Sequence, residues 1–208
     1  MGQEQRVDIM KVLLVGATGR LGAAVGKALT GRGHQVVTVG RTGGDIRADV
    51  ADPEQTARVF AQVSEVDAVA SAAGDVPYKR IVDMAPEDYL SAYRGKVAAQ
   101  IELVRQGTRH VAERGSFTLI AGVLNRDPIV TGSAAAMVNG AVESFVRAAA
   151  IEIAPQRINA VSPTVFAESM AEYGDLFPGV TPVGVDLAAA AYVRSIEGAE
   201  TGRVFLVQ

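Results

Sequence analysis

The chain has no cysteine, no tryptophan and only two histidines among its 208 residues. Without cysteine there is no disulfide framework, no thiolate nucleophile and no cysteine-built metal centre. His34 and His110 stand far apart in sequence, so no zinc site, and no metal at all, is expected. An excess of charge of one sign is lacking too: the net charge is -3 and the pI near 5.5. That balance offers no basic face to nucleic acid or to an anionic membrane. No uninterrupted apolar run approaches the ~20 residues of a membrane span. The first nine residues, MGQEQRVDI, lack the apolar centre of a signal peptide and read as a flexible leader. The expectation is a cytoplasmic protein whose partner is a small molecule.

What is present is apolar and rich in glycine. A hydrophobic fraction of 49% supports a large core and excludes disorder. With no linker, repeat or low-complexity tract, residues 1–208 read as one domain. The stretch the chain is organised around is Lys11–Gly22, KVLLVGATGRLG. Lys11–Val15 is long enough for one buried parallel strand, and Leu21–Leu29 reads as a helix. A strand turning on glycine into a helix leaves backbone N–H groups at the positive end of the helix dipole, which binds an anion such as pyrophosphate. Gly16 permits the turn, Gly19 lets phosphate approach the backbone, and Gly22 lets helix and strand pack. Thr18, Arg20 and Leu21 complete this candidate cofactor turn.

Gln35–Gly40 reads as a second strand, followed by Arg41 and Thr42, with the nearest acid at Asp45. An acid at that point would hold the ribose 2′-hydroxyl of NAD, whereas an arginine suits the 2′-phosphate of NADP. Arg41, with Thr42 beside it, therefore points to NADP(H) rather than NAD(H). Ile46–Val50 is a short strand, and Asp52-Pro53 caps a helix to Val63. Asp67–Ala70 is a strand ending in Ser71-Ala72-Ala73-Gly74, small enough to leave room for a flat ligand. The spacing of Leu90, Tyr93, Val97, Ile101 and Val104 predicts one long helix from Pro86 to Gly107. Ser116–Ala121 is a strand. A helix follows from Ser133, its expected N-cap, to Ala154, with Met137, Ala141, Phe145 and Ala149 as the expected core stripe and Val138, Val142 and Val146 alongside. Ala135, Asn139, Glu143 and Arg147 form another row, with the last two spaced for an ion pair. Arg157–Val161 and Arg203–Val207 are the last strands, with a helix at Asp186–Ser195. Alternating strands and helices predict a doubly wound parallel α/β sheet of about seven strands.

Over nearly its whole length the chain resembles the short-chain dehydrogenase/reductase family. The resemblance rests on GATGRLG, Asp49-Val50, Ser71–Gly74, Ala141–Arg147 and Arg157–Pro163, RINAVSP. It implies a single-domain Rossmann fold, in dimers or tetramers built on the family's fourth and fifth helices. It further implies that Asp49 and Val50 flank the adenine, Ser71, Ala72, Ala73 and Gly74 line the ribose, and Thr164 and Val165 sit by the nicotinamide. The glycine spacing is closer to the extended branch of that family, although the chain is short.

The family's catalytic groups do not carry over. Ala135 stands where its tyrosine belongs and Asn139 where its lysine belongs. Its serine falls on Ala121-Gly122 and its helix-borne asparagine near Gly95-Lys96. The chain thus resembles an atypical subgroup. Candidates for relocated catalysis are Lys96, Ser133 and Asn139, followed by Thr131 and Tyr173. Phe166, Met170, Tyr173 and Phe177 offer an apolar lining to the substrate side. Two functions fit: an NADP(H)-dependent oxidoreductase acting on a carbonyl, alcohol or quinone, or a non-catalytic NADP(H)-binding sensor or scaffold.

Overall fold

A computed structural model describes residues 8–208, so most of the expected leader lies outside the described residues. Strands β1 (Lys11–Val15), β2 (Gln35–Gly40), β3 (Ile46–Arg47), β4 (Val66–Ser71), β5 (Val111–Ile120), β6 (Arg157–Pro163) and β7 (Val204–Val207) form one sheet. Its order is β3-β2-β1-β4-β5-β6-β7, with every neighbouring pair parallel. The order reverses between β1 and β4, so a crevice opens beyond their carboxyl ends, where such sheets take ligands.

Successive side chains of a strand face opposite sides of the sheet, and β1 is apolar on both. Leu13 and Val15 join the larger core with Phe60, Leu103, Phe117 and Val142. Val12 and Leu14 join the other, with Val25, Leu29, Tyr192 and Ile196. Helices α1 (Arg20–Gly31) and α7 (Val185–Glu197) cover that second face. The first is covered by α2 (Pro53–Val63), by α3 (Pro86–Ala92) and α4 (Ala99–Gly107), and by α5 (Ser133–Glu152). A short α6 (Met170–Tyr173) lies between two 3₁₀ turns. The start of α2 is as expected: Pro53 opens it and the Asp52 carboxylate accepts from Glu54 N (2.9 Å) and Gln55 N (3.3 Å).

Several expectations are corrected. The predicted single helix over residues 86–107 is interrupted at Tyr93–Ala98, which is wound as a π-helix. Inside it Lys96 and Val97 are buried while Tyr93 and Arg94 are exposed. On α5 the buried row is Ala134, Ala135, Val138, Asn139, Val142, Glu143, Val146 and Ala149, whereas Met137 is exposed. The helix is apolar nearly all round, so its sequence pattern does not single out the inward face. Its N-cap is Gly132, not Ser133. With 20 residues it is long and apolar enough to cross a membrane by length and composition; here it packs against β6 and the core. Strand β5 starts at Val111, earlier than its apolar run, through an irregular pairing of Val66 with Val111.

Candidate functional site

The glycine turn has the geometry its spacing implies. Gly16 sits at φ +81° and donates its N–H to Val39 O at 2.8 Å. A Cβ there would lie 2.8 Å from Ala73 N, and one at Gly22 only 2.1 Å from Gly16 O, so both positions are closed to side chains. At Gly19 the nearest atom is 3.5 Å away, and Gly19 is the N-cap of α1. No side chain caps α1 and its first turn carries no acid, so its positive end stays available to a phosphate.

The turn forms one wall of a cleft of about 820 Å³. Gly16, Thr18 and Gly19 line it together with Arg41, Thr42, Asp49, Val50, Ala72, Ala73 and Gly74, so most of the expected cofactor residues are gathered in one place. Asp45 is turned away from it: its carboxylate accepts from Thr38 N (2.8 Å) and Thr38 Oγ1 (2.7 Å), which hold its pKa below the ordinary carboxylate value. The sequence reading missed Glu87, Ser91 and Arg94, which line the far side from α3 and the π turn.

Six expected cofactor residues do not line the cleft. Leu21 belongs to the apolar core, and Gly22 is packed against the Gly16–Ala17 backbone. Arg20 reaches across to α6, donating to Ser169 Oγ at 2.8 Å and pairing with Glu172 at 3.3 Å. Ser71 is fully buried; its carbonyl accepts from Tyr192 Oη at 2.6 Å and its hydroxyl has no partner. Thr164 is buried beyond β6, and Val165 packs with Val123, Leu124, Ala135 and Phe177. Ala135 is thereby buried in an apolar cluster to which Met170 and Tyr173 also belong.

Lys96 and Asn139 are brought together. The Lys96 ammonium donates to Asn139 Oδ1 at 2.7 Å and to Ala121 O at 2.9 Å. Gln100, one turn on, fixes the end of β5 by accepting from Ile120 N (2.7 Å) and donating to Ile120 O (3.0 Å). Burial pushes the Lys96 pKa down to about 8. The methylenes of Lys96 lie against Gly74, where a Cβ would be 3.1 Å from Cγ, and a Cβ at Gly122 would lie 2.9 Å from Asn139 Nδ2. Ser133 is elsewhere. Its hydroxyl is 3.1 Å from Tyr89 Oη, and it lines a separate cavity of about 410 Å³ with Lys79–Val82 and Pro128–Gly132. Thr131 lines that cavity too, at φ +74° and with its hydroxyl unpartnered. Tyr173 packs on Tyr78 with ring centroids 6.2 Å apart. Behind the site, buried Glu143 accepts from Arg126 and from Ser162 Oγ (3.1 Å), with Arg147 at 3.5 Å as the i,i+4 spacing implied. This network ties the segment after β5 to α5 and β6.

Fold and cleft together define a single-domain Rossmann protein whose cleft lies beyond the carboxyl ends of its strands, at the reversal of strand order. A family model described as "Enoyl-(Acyl carrier protein) reductase" matches residues 16–206. Versicolorin reductase 1 of Aspergillus parasiticus is 30% identical over 201 residues, covering 82% of this chain and 74% of its own length. Among solved structures, the protein lin1944 from Listeria innocua is 40% identical with a TM-score of 0.93, over 96% of this chain and 100% of that one. A small-chain dehydrogenase in complex with NADPH shares the fold, at 24% identity and a TM-score of 0.86 over 97% of each chain. The chain belongs to the short-chain dehydrogenase/reductase family.

Proposed function

We propose that this chain is an NADP(H)-dependent oxidoreductase that moves hydride to or from a small carbonyl, alcohol or quinone-like substrate, through a site that departs from the family's usual one. The observation that carries the reading is the end of β2: Arg41 and Thr42 open on the cleft while Asp45 is bonded back to Thr38. A 2′-phosphate would meet a guanidinium there, and no acid competes for the position. The similarity to versicolorin reductase supports a reductase, and the neighbour solved with NADPH supports this cofactor. NADPH would supply the hydride when bound. The glycine turn would take its pyrophosphate, and Asp49 and Val50 its adenine. Ala135 carries no hydroxyl, so Lys96 and Asn139 are the polar groups this reading assigns to the chemistry.

Calorimetric titration is expected to show NADP⁺ and NADPH binding, with NADH at least ~10-fold weaker. A panel of quinones, aldehydes and ketones is expected to show NADPH consumption, reduced in Lys96→Ala and Asn139→Ala. Equal affinity for NADH would overturn the cofactor choice. Cofactor binding without turnover of any acceptor would favour the sensor or scaffold, for which the sealing of Ala135 beneath Val165 and Phe177 speaks. A sensor requires unequal affinities for the two redox forms, since equal binding shifts no equilibrium. We further infer self-association through the stretch 86–107 and α5, where Tyr93, Met137 and Ile151 leave apolar surface exposed. Sedimentation should give a dimer or tetramer, and a monomer throughout would overturn this.

A further inference from the structure

Lys96 is a buried cation without a counter-charge. It is 9% exposed, and among the described residues no carboxylate lies within ion-pair distance of its ammonium. The charged groups on the elements around it are otherwise placed. Asp75 follows Gly74 and is exposed, as is Arg94 on the π turn. Glu143, one turn along α5 from Asn139, is taken up by Arg126 and Arg147. Beyond β5 the nearest charge is Arg126 itself, held by Glu143 and Ser162. Both acceptors of the ammonium are neutral, an amide oxygen and a backbone carbonyl. They use two of its three donors.

A buried ammonium satisfied only by neutral groups is costly, and the fold departs from regularity to hold it. Lys96 is buried with Val97 within the π turn, while Tyr93 and Arg94 at its start face out, and such turns recur at functional sites. Glycines at 74 and 122 give the lysine stem and the Asn139 amide their space. Gly74, against which the Lys96 methylenes pack, lines the cleft, so the lysine stem lies directly behind that wall.

We propose that Lys96 is the proton donor of this site, giving its Nζ proton to the oxygen of a carbonyl or quinone as that oxygen gains charge, with Asn139 as the residue that positions it. The inference rests on the reductase reading above. NADPH, when bound, would supply the hydride that the acceptor carbon, or the ring position of a quinone, takes up, and would leave as NADP⁺. The C=O π pair moves onto oxygen, an N–H bond of Lys96 breaks and an O–H bond forms. The neutral amine then takes a proton from water. An ammonium whose pKa is drawn down towards neutrality is a better acid than an exposed lysine, yet it keeps its proton at pH 7.

The test uses the full chain as Lys96→Met, Lys96→Arg, Lys96→Asn and the exchange Lys96→Asn/Asn139→Lys, which returns one amine and one amide to the same contact. NADPH affinity is read by calorimetry, kcat against pH with a ketone or quinone, and the Lys96 titration by NMR of ¹³Cε-lysine protein. The expected results are a ~10²–10⁴-fold loss of kcat in Lys96→Met with NADPH affinity kept. Wild-type kcat should be level below about pH 8 and fall above it, in step with the NMR titration of Lys96. The exchange should regain at least ~10-fold over Lys96→Asn. Full kcat in Lys96→Met, or a wild-type profile without that alkaline limb, would overturn the proposal while leaving the reductase intact. Failure of the wild type to bind or consume NADPH would instead overturn the reading beneath it. Should Lys96→Met not fold, the wild-type pH profile and Lys96→Arg decide alone; the arginine, which keeps its proton at every accessible pH, should lose kcat to a similar extent as well as the limb, and an arginine variant of full kcat would overturn the proposal.

Discussion

Replacing Lys96 by methionine should change how stability depends on pH, before any question of catalysis. In the unfolded chain the lysine keeps its proton until about 10.5, and in the folded protein it releases it near 8. Between those values the unfolded state binds more protons, so wild-type stability gains a contribution that rises with pH. A difference of that size corresponds to about 3 kcal/mol over the whole interval. Lys96→Met lacks the contribution altogether. At neutral pH the variant escapes the cost of burying an ammonium but strands Asn139 Oδ1 and Ala121 O, each a loss of about 1–3 kcal/mol. The two proteins should therefore lie within about 3 kcal/mol of each other at neutral pH, and the wild type should gain on the variant as pH climbs towards 10. Urea unfolding of both, at matched pH values, measures the difference, and the titrations common to both cancel. A difference that stays flat, or moves against the wild type with rising pH, would show that Lys96 is not held as a costly buried cation.

Arg41→Ala should weaken NADPH binding by about 10- to 100-fold and leave NADH nearly unchanged, as calorimetry would show. Gly22→Ala forces a Cβ to within 2.1 Å of Gly16 O, so the turn must shift. Thermal melting should show a loss of at least about 1–3 kcal/mol, and titration should show cofactor affinity falling with it. Arg126→Ala leaves the buried Glu143 carboxylate with Ser162 and the more distant Arg147. Denaturant unfolding is expected to lose about 3 kcal/mol, while Arg126→Lys, which keeps a charge, should lose less.

What could be read from the sequence was what short-range constraint decides. The strand–glycine–helix turn is fixed by where a side chain can exist, and Asp52-Pro53 marks a helix start by local hydrogen bonding alone. Arg41 and Asp45 could be weighed because the end of β2 is itself a local landmark. The π turn left no such mark, since Leu90, Tyr93, Val97 and Ile101 satisfy ordinary helical spacing whether or not the helix widens over Tyr93–Ala98. The Lys96–Asn139 contact joins residues 43 apart in sequence. Both were named from the sequence, but only the fold brings them to one point. Ser133 was misplaced for a related reason: a serine at a helix start suggests a cap, yet its hydroxyl meets Tyr89 from another element. On α5 the abundance of alanine hid the inward face, and Met137 took a place that belongs to Val138 and Val142.

The π turn at Tyr93–Ala98 makes the site depend on chain length as well as on residue identity. Such a turn holds one residue more than the same stretch of α-helix would, and each residue of an α-helix advances it by about 100°. Removing one residue other than Lys96 from that stretch would let the helix close up and change the direction in which Lys96 points relative to Ala99–Gly107. The strands and the glycine turn would be untouched, and no residue named as essential need be lost. An insertion or deletion of one, invisible to a residue-by-residue inventory, would be enough to part Lys96 from Asn139.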